Sequence, residues 1–474
     1  MWIESINQEK HKKRKGDKMS LKETYTNYFI GKGHKHLQSA SLIPSNPTTL
    51  FTTAGVQPII PYILEGKDHP EGKKLTSFQK CLRLTDIDSI GDNYHHTFFE
   101  MLGNWSLGDY FKDESMEMSF EFLTQVLKFD INRLAVSVFV GVDDIPRDYE
   151  TEAKWLKLGI PQERIVFLGT DNNWWPTVKE VGPCGPDTEI FYWRDEGHEP
   201  PKEFDPDDPR WVEIWNNVFI QYYRDEDMNL IELDKKYIDT GMGFERVTSI
   251  LNKVDDNYKS PIFTPIINTI EKYSNKSYED ENNQKDMRII ADHIRSITMI
   301  CSDDKQIFPS NKDRGYVLRR LIRRLSLSAD RLGIDNLNEM IRELIIEVED
   351  QFSKYYPQVT GEKERTINLI IGENQKFQNI IIQGKKKVNK AIEVLRERNL
   401  DTMDPIIIFR LYETHGVPFD LTYSILKDNG IKYNSEEVDI LFENHRLQSK
   451  KQAEDKFGKG IEGKKLVKTN DTQK

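Results

Sequence analysis

The chain has 474 residues, and at about 150 residues per domain that length implies two or three domains. Charged residues make up 31% and the hydrophobic set 37%, yet 8 Trp, 19 Tyr and 23 Phe can build real cores, so a disordered chain is excluded. The 67 basic and 78 acidic residues leave a net charge of −11, which by itself disfavours a nucleic-acid partner.

No apolar run approaches the ~18 residues that a transmembrane helix needs, so no membrane partner is expected. Cys81, Cys184 and Cys301 stand far apart without a Cys-x-x-Cys pair, which argues against a disulfide framework and a cysteine-rich zinc site. These features indicate a soluble protein of a reducing compartment, the cytoplasm.

Residues 1–20 read as a polar tail, with six basic residues in Lys10–Lys18 and Asp17 the only acid there. From Leu21 to Val254 helical and strand patterns mix. Met116, Phe120, Leu123 and Leu127 recur at helical spacing behind an acidic first turn. Leu134, Val136, Val138 and Val140 alternate as a strand does. Glu189–Trp193 and Val212–Arg224 are strand-like, and the second turns through Asp225–Asn229 into the extended Leu230–Ile238, which predicts a hairpin. Strands joined by turns predict an antiparallel sheet with helices packed against it.

Beyond Asp255 the periodicity is helical, over Met287–Met299, Gly315–Leu332, Leu337–Tyr355 and Glu362–Arg398, with Gly372 and Gly384 as candidate interruptions. Asn434 and Glu437 carry capping-box spacing for a last helix. From Lys450 the chain is a polar, Gly/Lys-rich tail. The expected organisation is an α+β domain over 21–254 and an all-α domain over 255–449, between tails at 1–20 and 450–474.

Three segments are unusual for purely structural sequence. In Asp239–Arg246, two glycines one residue apart followed by an arginine let backbone approach a ligand and aim a guanidinium at phosphate. A tight strand-to-helix turn reads equally well, and no third glycine supports a dinucleotide fingerprint. Arg83, a polar loop and then His95–Asn104 place an arginine and paired aromatics where they can clamp a triphosphate and stack a purine. Asn173–Trp175 precedes Gly182–Glu189, whose two Gly-Pro pairs predict a stiff loop ending in a carboxylate beside a tryptophan.

Taken together, HHTFFEMLGNWSLGDYF (His95–Phe111), GPCGPDTEIF (Gly182–Phe191), EIWNNV (Glu213–Val218), DTGMGFER (Asp239–Arg246), ADHIRS (Ala291–Ser296) and PSNKDRGYVLRR (Pro309–Arg320) resemble the alanyl-tRNA synthetases, class II aminoacyl-tRNA synthetases that serve translation. The resemblance runs from Leu21 to Gly463. It implies a class II antiparallel sheet flanked by helices, followed by a helical tRNA-recognition domain. It also implies an ATP-dependent ligase that converts L-alanine to alanyl-adenylate and passes it to the 3′ end of tRNA(Ala).

By the same resemblance, Arg83 holds the ATP α-phosphate and the alanine carboxylate, and Arg246 the γ-phosphate. One of Phe98 and Phe99 stacks on adenine, since the aromatic spacing can be counted from Tyr94 or His95. His95 and Gly243 complete the ATP site. Asp239 takes the alanine ammonium, Trp175 and Val218 wall the methyl pocket, and Gly241 keeps its floor open. Mg²⁺ accompanies ATP through unassigned acids.

Lys312, Arg314, Arg319, Arg320, Arg323 and Arg324 form a basic segment with Asp313 the only acid, and Arg319/Arg323 and Arg320/Arg324 make two adjacent i, i+4 rows. Such rows suit a phosphate backbone. A helix paired with neighbouring acids is the plainer alternative. The resemblance adds that Asn311 and Asp420 read the acceptor-stem G·U pair.

Two departures stand out. The loop Leu84–Tyr94 is short, carries three acids and lacks the family's cations, so either phosphate binding is weaker and the rate lower, or Lys73 or Lys80 compensates. The family's editing and C-terminal dimerisation segments are absent from the sequence, which predicts no zinc, no editing and a monomer. Two other readings stay open: an adenylate-forming paralogue that loads a different acceptor, and a catalytically impaired RNA-binding module.

Overall fold

The computed structural model describes residues 19–445 except 46–48, 85, 86, 88, 143, 144 and 177–180. Both polar tails therefore lie outside the described residues, save Met19 and Ser20, as do Thr85, Asp86 and Asp88 of the loop after Arg83.

Helix α1 (Leu21–Gly31) begins at a capping box: the Ser20 hydroxyl accepts from the Glu23 N–H and the Glu23 carboxylate accepts from the Ser20 N–H. Nine strands then build one sheet: β1 (Lys35–His36), β2 (Lys74–Leu82), β3 (Phe98–Ser106), β4 (Leu134–Phe139), β5 (Ile165–Leu168), β6 (Trp174–Trp175), β7 (Gly182–Trp193), β8 (Trp211–Arg224) and β9 (Leu230–Gly243). Their order is β1-β2-β3-β9-β8-β7-β4-β5, with β6 paired to β7.

The six strands from β2 to β4 in that order are mutually antiparallel, as expected. The edge pairs β1–β2 and β4–β5 are parallel. Parallel neighbours need a crossover, which α2 (Ile60–Leu64) and α4 (Tyr149–Leu158) supply.

The Gly-Pro segment is a correction: Gly182–Glu189 is the first half of β7, not a loop. The strand tolerates its prolines because the register shifts between Cys184 and Asp187. Gly185 belongs at this irregularity, since a Cβ there would collide with the Phe219 carbonyl.

One face of the sheet packs on α1 and α3 (Lys112–Glu121), around Tyr25, Phe29, Met116, Phe122, Trp155 and Trp215. The other face is covered at one end by α2, where Ile59 and Ile63 meet Trp105, Val218 and Tyr237. Phe204 and Trp211 cover it over Ala135, Phe191 and Trp193, and Trp174 covers it over Phe139 and Cys184.

After β9 the fold becomes helical: α5 (Phe244–Leu251), α6 (Thr264–Ser274), α7 (Glu281–Cys301), α8 (Asp313–Leu332), α9 (Leu337–Phe352) and α10 (Gln358–Gly361). The change of character near 255 is there, but these helices share one compact unit with the sheet, Met1–Ile370. The second unit, Ile371–Lys474, contains α12 (Pro405–His415), α13 (Phe419–Asp428) and helical residues 435–445. Helix α11 (Lys363–Glu397) runs unbroken through both glycines. Gly384 gives Val417 room, since a Cβ would lie 3.1 Å from its methyl carbon. Asn434 caps the last helix, its side-chain oxygen accepting from the Glu437 N–H at 3.3 Å.

Candidate active site

A cavity of about 290 Å³ lies on the same face of the sheet as α2. Its floor is fixed by strand register. Trp105 on β3 pairs with Asp239 on β9, which pairs with Val218 on β8, so the three side chains stand in one row. Two residues along, Asn216 pairs with Gly241.

Asp239 is buried and its Oδ1 accepts the Trp105 indole N–H at 2.8 Å. Burial pushes its carboxyl up to about 7, against the pull of Trp105 and Arg83. The indole lies over Gly103, where a Cβ would come 2.6 Å from the ring. At Gly241 a Cβ would stand 2.7 Å from the Met101 sulfur, so glycine keeps the floor clear.

Arg83 leaves the end of β2, anchored by its Nε–H to the Thr53 carbonyl at 3.1 Å, with its guanidinium 5.1 Å from the Phe99 ring centre. Arg246 sits in the first turn of α5 and donates to the Glu213 carbonyl and carboxylate at 2.9 and 2.8 Å. His95 is held by Asp92, whose carboxylate accepts from its ring at 2.5 Å and from its backbone N–H at 2.9 Å.

Of the residues expected in the site, Arg83, His95, Phe99, Trp175, Val218, Asp239, Gly241, Gly243 and Arg246 all line the cavity. Phe98 does not. It is fully buried on the opposite face, 5.6 Å edge-on from Phe352 and under Arg295 at 5.5 Å. Strand alternation sends neighbouring side chains to opposite faces, so only one of the two phenylalanines can reach a ligand. Neither expected substitute for the loop cations arrives: Lys80 is buried 5.0 Å from the Tyr356 ring, and Lys73 pairs with Asp68 at 3.6 Å. Cys184 is buried, and burial pushes its thiol up to about 11.

The cavity also holds Ala54, Met101, Glu189, Glu213 and Asn216. Met101 and Asn216 follow from alternation with Phe99 and Val218. Glu213 is out of phase with Val218 and comes inward at a register shift opposite Ile190–Phe191, which no sequence pattern signals. The Asn216 side-chain oxygen is buried without a hydrogen-bond partner. Burial, Glu213 and Asp187 push the Glu189 carboxyl up to about 9. Asp187, lower in the floor, rises to about 8 through burial. The cavity thus brings two guanidiniums, one of them paired with Glu213, together with carboxyls that burial pushes up.

On α8, Arg314, Arg319, Arg320, Arg323 and Arg324 are all half-buried, and the last four engage neighbours in the fold. Asn311 is exposed just before the helix, where its oxygen accepts from Arg319. Arg314 donates to the Leu50 carbonyl. Asp420 lies on α13 in the second unit, its side chain outside the described set. No helix among the described residues is long and apolar enough to cross a membrane. No cluster of three or more His, Cys, Asp or Glu there could hold a metal ion.

A family model described as tRNA synthetases class II (A) matches residues 20–474. The alanine–tRNA ligase of Borreliella afzelii is 42% identical over 448 residues, covering 93% of this chain and 74% of that one. That of Treponema pallidum is 40% identical over 448 residues, covering 93% and 73%. That of a Thermotoga strain, RQ2, is 39% identical over 436 residues, covering 91% and 49%. The chain belongs to the class II (A) tRNA synthetases, and within them to the alanine–tRNA ligases.

Proposed function

We propose that the cavity makes alanyl-adenylate and that α8 and Asp420 receive the acceptor stem of tRNA(Ala). The observation that carries this is the Trp105–Asp239–Val218 row beneath Arg83 and Arg246. A buried carboxylate, an apolar wall and two guanidiniums in one cavity are what an amino acid and a triphosphate require together.

Asp239 takes the ammonium of alanine, and Trp175 and Val218 confine its methyl group. Gly241 leaves the floor open to the substrate backbone. Phe99 stacks on adenine, with His95 and Gly243 at the rim of the nucleotide. Arg83 draws the alanine carboxylate and the α-phosphate together, and Arg246 binds the γ-phosphate. A carboxylate oxygen attacks the α-phosphorus, the bond to the bridging oxygen breaks, and pyrophosphate leaves. A ribose hydroxyl at the tRNA 3′ end then attacks the alanyl carbonyl, the bond to the phosphate breaks, and AMP leaves with loss of the hydroxyl proton. The protein contributes positioning and charge stabilisation rather than covalent chemistry.

Glu189 and Glu213 fit a magnesium site. Both carboxylates line the cavity that also holds Arg83 and Arg246, and hard oxygen donors of this kind suit the magnesium ion that accompanies ATP. When bound, Mg²⁺ supplies charge neutralisation to the phosphates.

On α8, Arg314, Arg319, Arg320, Arg323 and Arg324 meet acceptor-stem phosphates, while Asn311 and Asp420 read the G·U pair. The test is alanine-dependent ATP–pyrophosphate exchange, followed by charging of acceptor minihelices that carry G·U or G·C. Exchange with charging of the G·U minihelix alone is expected. Absence of exchange overturns the cavity reading, and equal charging of both minihelices overturns the roles of Asn311 and Asp420.

A further inference from the structure

Three consecutive hydrogen bonds link the basic helix to the strand that carries Phe99, through two residues that do not line the cavity. Arg324 on α8 donates its Nε–H to His293 Nε2 at 3.1 Å. A guanidinium only donates, so Nε2 must accept and the ring proton sits on Nδ1. That Nδ1–H meets Asp292 Oδ2 at 2.8 Å, and Asp292 Oδ1 accepts the Thr97 backbone N–H at 2.8 Å. Thr97 stands between His96 of the cavity wall and the first residue of β3.

Asp292 and His293 are consecutive on α7, so they leave it about 100° apart, one toward the sheet and the other toward α8. Both are fully buried. A buried carboxylate is costly unless its lone pairs are used. Burial alone would raise Asp292, but His293, His96 and Thr97 hold it below the usual carboxylate range. Burial lowers His293, which keeps the ring neutral and able to accept from Arg324.

Asp292 also has a third donor near at hand. Asn257 donates to His96 Nε2 at 2.9 Å, which leaves the His96 proton on Nδ1. That Nδ1 is buried, lacks a hydrogen-bond partner and lies 3.9 Å from Asp292 Oδ1. Asp292 thus holds two donors and has a third just out of reach, so a small shift of its carboxylate exchanges contact with Thr97 for contact with His96, the kind of element through which sites couple.

We propose that Asp292 and His293 are positioning residues that couple phosphate-backbone binding on α8 to ATP binding in the cavity. An RNA phosphate that draws on Arg324 shifts His293 and Asp292, and with them the start of β3 that sets His95 and Phe99. The coupling rests on the reading of α8 and the cavity given above.

The test uses the full chain, a non-hydrolysable ATP analogue and a G·U acceptor minihelix whose 3′ end cannot be charged. Each dissociation constant is measured alone and with the other ligand saturating. In the unmodified chain each ligand tightens the other by the same factor, at least about fivefold. His293→Phe keeps a ring but removes both hydrogen bonds; the factor falls below about twofold, while each ligand alone binds within about threefold of normal. His293→Gln, which can accept from Arg324 and donate to Asp292, restores most of the factor. Asp292→Asn breaks the next link, setting an amide against the His293 N–H, and carries the test if His293→Phe fails to melt cooperatively. Binding of both ligands without mutual effect, or an undiminished factor in His293→Phe and Asp292→Asn, overturns the coupling alone. Failure of either ligand to bind overturns the site reading as well.

Discussion

The two faces of strand β3 are built to opposite ends. Toward the cavity, Phe99 and Met101 border Asp239, Glu189 and the unpartnered oxygen of Asn216. Toward the helices, Glu100 pairs with Lys22 at 2.5 Å and takes the Tyr356 hydroxyl at 2.6 Å, while Arg295 binds Glu245 at 2.7 Å. Charges on the inner face are spent on holding α1, β3, α5, α7 and the segment after α9 together. On the cavity face the Arg246–Glu213 pair links opposite charges directly, and burial raises Asp239 and Glu189 above the ordinary carboxylate range. Binding strength is available only where the fold has not already used it.

The sharpest way to break this contrast is Asp239→Ala. Loss of the ammonium partner should cut alanine activation about a thousandfold, or roughly 4 kcal/mol, with the fold intact by thermal melting. Near-normal exchange would put the ammonium elsewhere.

Phe98→Ala and Phe99→Ala then separate the faces directly. Phe98→Ala should cost about 3–5 kcal/mol of stability in denaturant titration and leave the ATP KM nearly unchanged. Phe99→Ala should leave stability nearly unchanged and raise the ATP KM by the equivalent of about 1–3 kcal/mol. The reverse pattern would invert the assignment.

The raised carboxyl of Asp239 gives a pH test with a definite sign. Below about 7 the group is protonated in the free protein and the ammonium loses its partner. Alanine KM should therefore be flat above that pH and rise about tenfold per unit below it. A KM independent of pH between 5.5 and 8 would refute the charge state. The same raised value makes the ionised carboxylate a cost to folding that grows as pH rises from the unfolded carboxylate value toward 7.

The smallest effect concerns the pocket wall. Val218→Ala opens space for about two methylene groups and should improve 2-aminobutyrate activation relative to alanine by about tenfold, within the 1–3 kcal/mol that one methylene commands. An unchanged ratio would move the specificity wall away from β8.

Much of this was legible in one dimension. Helical periodicity placed α7, α8, α9 and α11 within a few residues, and alternation located β4 and the β8–β9 hairpin. The Gly-Pro segment misled because proline argues against strand, and only a register shift reconciles the two. Net charge misled in the same way: −11 is a sum over the chain, and it conceals a helix dense in arginine.

The sequence by itself determined the family, through motif runs such as His95–Phe111, Gly182–Phe191 and Asp239–Arg246, and with the family the class of chemistry. Local propensity and spacing act over a few residues and are written into the chain. The tertiary structure alone decided between Phe98 and Phe99, brought Glu213 inward and denied the cavity both Lys73 and Lys80. It also joined Arg324 to Thr97 through His293 and Asp292. Those outcomes depend on which strand faces which, on a single shifted register and on residues far apart in the chain, and none of these is a property of any short segment.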